Sequence, residues 1–83
     1  MASQKFKLAF TTPEDVIHYR AKKGLNQTEF WSRVGTTQSG GSRYESGRKI
    51  PAATKMLLTI AYGTQKQAEA IVNALRNSPP EDQ

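Results

Sequence analysis

Residues 25–47, LNQTEFWSRVGTTQSGGSRYESG, hold the side chains whose types and spacing could do chemistry, and that chemistry is hydrogen bonding, not bond making. Asn26 is placed to cap a helix beginning at Gln27, and Glu29 three residues on completes a capping box. Phe30 and Val34 give this helix an apolar i, i+4 edge, and Gly35 ends it. Thr37 then caps a second helix running from Gln38 to about Ser46, with Gly47 as its stop. An eight-residue helix, a three-residue turn opening on glycine and a nine-residue helix predict a helix-turn-helix over residues 27–46. In such a unit the second helix enters the major groove of duplex DNA, and here it carries polar residues where the groove would be met.

Catalysis finds no comparable pattern. The single His18 has neither a cysteine nor a cluster of carboxylates to join it, so no metal site is predicted. No glycine-rich phosphate loop with a following Lys-Ser/Thr occurs, because Gly40-Gly41 falls inside a predicted helix. The serines form no serine–histidine–acid arrangement. The chain therefore reads as a non-enzyme, without catalytic residues, cofactor or metal.

The elements that must position residues 27–46 are helical too. Thr12-Pro13-Glu14-Asp15 starts a first helix, with Thr12 as N-cap, Pro13 in the first turn and two carboxylates at the positive end of the dipole. It carries Val16, Ile17, Tyr19 and Arg20 and stops at Gly24. A fourth helix is predicted from about Ala52 to Tyr62, with Met56, Leu57, Ile60 and Ala61 as its core stripe. Thr64 and Gln67 cap a fifth, whose stripe is Ala68, Ile71, Val72 and Leu75. Phe6, Leu8 and Phe10 alternate with Lys7 and Ala9, which predicts a short strand or an extended arm within residues 1–11. The polar, proline-rich residues 77–83 read as a flexible tail. Together these predict one all-α, five-helix domain spanning residues 1–83.

Charge narrows the partner. The 83 residues carry a formal net charge of +5 and a pI near 9.8, which favours a polyanion. Between Arg20 and Lys55 eight basic residues face two acidic ones, so this stretch alone holds more positive charge than the whole chain nets. The absence of cysteine suits a cytoplasmic protein, nucleoid-associated when bound to DNA. No apolar run approaches a membrane span, and MASQKFKLAF lacks a signal-peptide core.

Three strings in register carry a resemblance. Arg20-Ala21-Lys22-Lys23-Gly24-Leu25-Asn26-Gln27, Gly35-Thr36-Thr37-Gln38, and Arg43-Tyr44-Glu45-Ser46-Gly47 with basic residues and Pro51 after it resemble the Cro/C1-type helix-turn-helix family. The likeness to these lambdoid-phage-repressor-like domains covers roughly residues 16–63. It implies that Gln38, in the first turn of the recognition helix, reads base edges, an amide being able to pair with adenine N6 and N7. Ser39 is the next groove-facing candidate, and Arg43 a reader of guanine O6/N7 or a phosphate ligand. Ser42 would touch base or phosphate. Asn26 and Gln27 would set amides and backbone N–H groups against a phosphate, with Arg48 and Lys49 clamping its neighbours. For Lys22, Lys23 and Lys55 a solvated face is expected. Arg20 and Glu45 stand where the family has a structural ion pair.

Two positions depart from the family pattern: Trp31 replaces a small residue, and Gly41 replaces valine or isoleucine. Each alone would destabilise, so the indole is expected to fill the volume Gly41 leaves, with Trp31 buried against Gly40 and Gly41. An exposed Trp31 in a partner interface is the alternative. The resemblance implies a sequence-specific double-stranded DNA-binding transcriptional regulator, most simply a repressor acting as a homodimer on an inverted repeat. Half-sites would lie about 34 Å apart. The fifth helix or the Phe6-Leu8-Phe10 arm could supply the dimer surface, but in a domain this small both are expected first to cap the monomer's own core. Within the same class stands a DNA-binding antitoxin with a toxin partner. In a different class stands a protein-interaction module that keeps the fold without reading DNA.

Overall fold

A computed structural model of the protein describes residues 6–77 and folds them into five helices. These are α1 (Pro13–Lys23), α2 (Gln27–Ser32), α3 (Gln38–Glu45), α4 (Ala52–Tyr62) and α5 (Gln65–Asn77). Residues 1–5 and 78–83, which include parts of the expected arm and tail, lie outside the described residues.

Capping explains the starts. Thr12 and Asp15 form a reciprocal capping box on α1, Asn26 and Glu29 one on α2, and Thr64 and Gln67 satisfy each other's backbone N–H groups at α5. The Thr37 hydroxyl accepts the Gly40 N–H at the head of α3. Gly24 closes α1 in the left-handed region at φ 70°, where a side chain would be strained. The helix α2 is two residues shorter than its sequence predicts. The N–H groups of Val34 and Thr36 both donate to the Trp31 carbonyl, so the chain turns back before a further helical turn can form. At the other end of the motif, Ser46 caps α3 and is not its last helical residue.

The core joins Phe10, Val16, Phe30, Trp31, Ile50 and Leu58, with Tyr19, Tyr44 and Tyr62 packed around them. Phe30 and Tyr62 stack at 4.4 Å, Phe10 meets Phe30 edge-on at 6.0 Å, and the Tyr62 hydroxyl donates to the Phe30 carbonyl at 2.7 Å. The helix-turn-helix is thus seated on an aromatic floor that α1 and α4 help to build.

Three sequence expectations are corrected. Of the two alternatives for the segment before α1, the strand does not form among the described residues. The segment before α1 instead drives Phe10 into the core, and the Ala9 N–H donates to Thr59 Oγ1 at 3.0 Å. With no neighbouring strand to share a ladder, the segment is held by that bond to α4, by Phe10 packing on Tyr19, Phe30 and Tyr62, and by the Thr11 and Thr12 N–H groups donating to Asp15. The fully buried residues of α4 are Leu58 and Thr59, whereas of the expected stripe Met56, Ile60 and Ala61 are half-buried and Leu57 is 47% exposed. Thr59 tolerates full burial because its hydroxyl also donates to the Lys55 carbonyl. A hydropathy stripe cannot anticipate a satisfied polar residue at the centre of the packed face. On α5 only Ile71 is buried, while Val72 and Leu75 face solvent, because α5 packs chiefly on α4. No described helix is long and apolar enough to cross a membrane.

Candidate nucleic-acid interface

The helix α3 divides cleanly into two faces. Gly41, Tyr44 and Glu45, at i, i+3 and i+4, turn inward; Gln38, Ser39, Arg43 and the capping Ser46 are exposed, and Ser42 is half-buried between them. Trp31 is wholly buried, and the backbone of Gly41 lies directly against it. A Cβ on residue 41 would fall on Cγ and Cδ1 of the indole and 2.6 Å from its Nε1. Trp31 and Gly41 therefore occupy one shared space.

Glu45 ties α3 to α1 and α2. Its Oε2 accepts from Arg20 Nε at 2.8 Å and from Trp31 Nε1 at 2.8 Å. Its Oε1 accepts from Arg20 Nη2 at 2.7 Å and from Gln27 Nε2 at 3.1 Å. The carboxylate side chain is 5% exposed, and the guanidinium meets it as a two-pronged fork. Burial pushes the Glu45 carboxyl up, but the hydrogen bonds from Arg20, Trp31 and Gln27, with the Arg20 charge, hold it below its ordinary value. Arg20 also donates to the Leu25 carbonyl at 3.0 Å, which anchors the turn entering α2.

At the outer surface the first residues of α2 and α3 adjoin. Gln38 Nε2 donates to Gln27 Oε1 at 2.6 Å. Asn26 Oδ1 accepts the Glu29 N–H at 2.7 Å, so its oxygen serves as a cap. Arg48 and Lys49 sit exposed in the loop after α3, and the Arg48 N–H donates to the Arg43 carbonyl, folding the loop back on the helix. Among the described residues Arg43, Arg48 and Lys49 have no ion-pair partner. The outward face thus offers an amide, hydroxyls and uncompensated cations, while the four bonds to Glu45 hold α3 from behind.

A family model for the RsaL-like helix-turn-helix domain matches residues 17–61, more than half of the chain. The chain belongs to this RsaL-like family. The match spans α1 from Ile17, the whole helix-turn-helix, and α4 up to Ala61; α5 and the segment before α1 lie outside it. No curated protein and no solved structure matches the chain. The RsaL-like match carries the helix-turn-helix itself.

Some of what the site contains was not read from the sequence. The Trp31–Glu45 and Gln27–Glu45 bonds were missed, although Gln27 and Trp31 stand four apart and share a face of α2. So was the pairing of Gln27 with Gln38, whose sequence signal is only that each amide opens a helix. Among the described residues no three His, Cys, Asp or Glu side chains gather where a metal ion could be held.

Proposed function

We propose that this RsaL-like domain is a sequence-specific double-stranded DNA-binding transcriptional regulator, a repressor acting as a homodimer on an inverted repeat. The observation that carries the reading is the outward face of α3 with its following loop, polar and basic throughout and free of internal ion pairs. Gln38, Ser39 and Arg43 read base edges; Asn26, Gln27, Ser42, Arg48 and Lys49 meet phosphates. The Cro/C1-type register of these residues supports the assignment. The second copy is supported by Val72 and Leu75, 38% and 56% exposed and three residues apart on one side of α5.

Selection of bound sequences from a random duplex pool tests this. One inverted repeat is expected, with half-site centres about 34 Å apart. Gln38→Ala and Arg43→Ala should each relax particular base pairs. A folded protein that enriches no sequence would overturn the proposal in favour of a protein-interaction module. An enriched single half-site would overturn the homodimer alone.

A further inference from the structure

We propose that Glu45 dictates, through Gln27, which hydrogen-bonding pattern Gln38 shows to a base, and that Arg20 and Trp31 are positioning residues for that recognition. The inference rests on the base-reading role proposed for Gln38. It begins from the fact that an ionised carboxylate only accepts hydrogen bonds and offers about four acceptor positions. All are taken: the Arg20 fork spans both oxygens, Trp31 Nε1 completes Oε2, and Gln27 Nε2 completes Oε1. The carboxylate plane is fixed by the fork, and the indole leaves Oε1 as the place for Gln27.

Direction then propagates outward. Gln27 must turn its NH2 group to Glu45, so its Oε1 faces Gln38, and Gln38 must donate, as it does at 2.6 Å. Flipping Gln27 would set its oxygen against a carboxylate oxygen. Flipping Gln38 would set oxygen against oxygen across the same 2.6 Å. Neither amide can reverse without opposing like poles, so the orientation of both is set by a buried anion two side chains away from the groove. What Gln38 has left is one N–H and its Oε1, a donor beside an acceptor. That pattern complements adenine, which shows the N7 acceptor beside the N6 donor, and not guanine, whose N7 and O6 both accept. Trp31 contributes a donor to Glu45 that alanine could not supply.

The test measures binding to the selected duplex and to duplexes changed only at the base pair that Gln38→Ala relaxes. Gln27→Met keeps the side chain's length and leaves the Arg20–Glu45–Trp31 group intact, but frees the Gln38 amide to turn either way. Its preference at that pair is expected to fall about tenfold, with the preferences at pairs relaxed by Arg43→Ala retained. Glu45→Gln, checked for folding by circular dichroism, is expected to reverse both amides and move the preference from adenine toward guanine. Full retention of the preference in Gln27→Met would overturn the proposal. A loss of base preference at all pairs alike would also overturn it, showing a merely structural role; a uniform fall in affinity with the preference at this pair kept counts as full retention, since it reports only the phosphate contact of Gln27. If Gln38→Ala itself relaxes no pair, the base-reading role has failed, and the inference falls for that separate reason.

Discussion

Gly41→Ala should destabilise this protein, against the usual rule for a helix interior. Replacing glycine by alanine within a helix ordinarily gains about 1 kcal/mol. Here the added methyl lands on the indole ring of Trp31, 2.6 Å from Nε1 and closer still to Cγ and Cδ1. The ring cannot swing aside, because Trp31 is fully buried and its Nε1 is held by Glu45 at 2.8 Å. Overpacking of a core costs roughly 1–3 kcal/mol, and a pinned aromatic ring places this case near the top of that range. After the helix gain, a net loss of about 2 kcal/mol remains, or a fall in melting temperature of roughly 8–16 °C for a domain of this size. The decisive comparison is the double-mutant cycle with Trp31→Ala. That substitution alone should cost about 3–5 kcal/mol, but in its background Gly41→Ala has no ring to meet and should stabilise by about 1 kcal/mol. The coupling is then about 3 kcal/mol, well beyond additive behaviour. Far-ultraviolet circular dichroism during thermal and urea melts reads it without relying on the tryptophan that is removed, and osmolyte keeps the weakest variant folded. A neutral or stabilising Gly41→Ala in the wild-type background would refute the claim that indole and glycine share one space.

The neighbouring Gly40→Ala should behave oppositely. Its new Cβ meets Thr36 Cγ2 and Thr37 Oγ1 at 3.3 Å, side chains able to shift slightly, so a gain approaching 1 kcal/mol is expected in the same melts. Arg20→Ala strips the buried Glu45 of its fork and should lower stability by about 3–5 kcal/mol; an unchanged melting temperature would argue against a structural ion pair. Stability should also fall in acid. Glu45 and Asp15 are both held below their ordinary values, Glu45 by hydrogen bonds that outweigh its burial and Asp15 first by the Thr11 backbone N–H. The unfolded chain therefore takes up protons first. The contribution is complete above the ordinary carboxylate range of about 4 and is lost as pH falls through the folded-state values, and the loss should shrink in Arg20→Ala. Arg48→Ala and Lys49→Ala should each reduce the log–log salt slope of DNA binding by about 0.9 without changing the selected sequence. A change in the sequence would mean that the loop reads bases.

The parts of the fold written in local chemistry were legible in the sequence. Thr12, Asn26, Thr37 and Thr64 start four helices because a side-chain oxygen three residues from an unsatisfied N–H is a local event. The helix-turn-helix followed from those caps and two glycines. Packing between segments distant in sequence was less legible. Leu58 and Thr59 became the fully buried residues of α4 because the segment before α1 reaches Thr59 across fifty positions, and no stripe within α4 encodes that. In the same way Val72 and Leu75 satisfy helical periodicity yet face solvent. At the candidate interface the exposed side chains of α3 were identifiable by position, while the network behind them was not. Glu45 draws its partners from α1 and α2, and only the folded chain brings Arg20, Gln27 and Trp31 to one carboxylate.

That network bears on why so poor a helix former serves as α3. Its sequence, QSGGSRYE, contains two adjacent glycines, which cost about 2 kcal/mol against alanine, and no apolar residue except Tyr44. Helix formation here cannot come from propensity; it must be imposed by the rest of the domain. The Thr37 cap fixes its head, the Gly41 backbone rests on the indole, and Glu45 clamps its end through bonds to two other helices. Because all three constraints act on one side, none of them uses Gln38, Ser39 or Arg43 as structural support beyond the single Gln38–Gln27 bond. The outer positions are thereby free to vary with the partner while the inner ones hold the helix. Substitutions at Ser39 and Arg43 should change what α3 recognises, whereas Gly41→Ala, by overlapping the indole, and Glu45→Ala, by removing the clamp, should change whether α3 is formed at all.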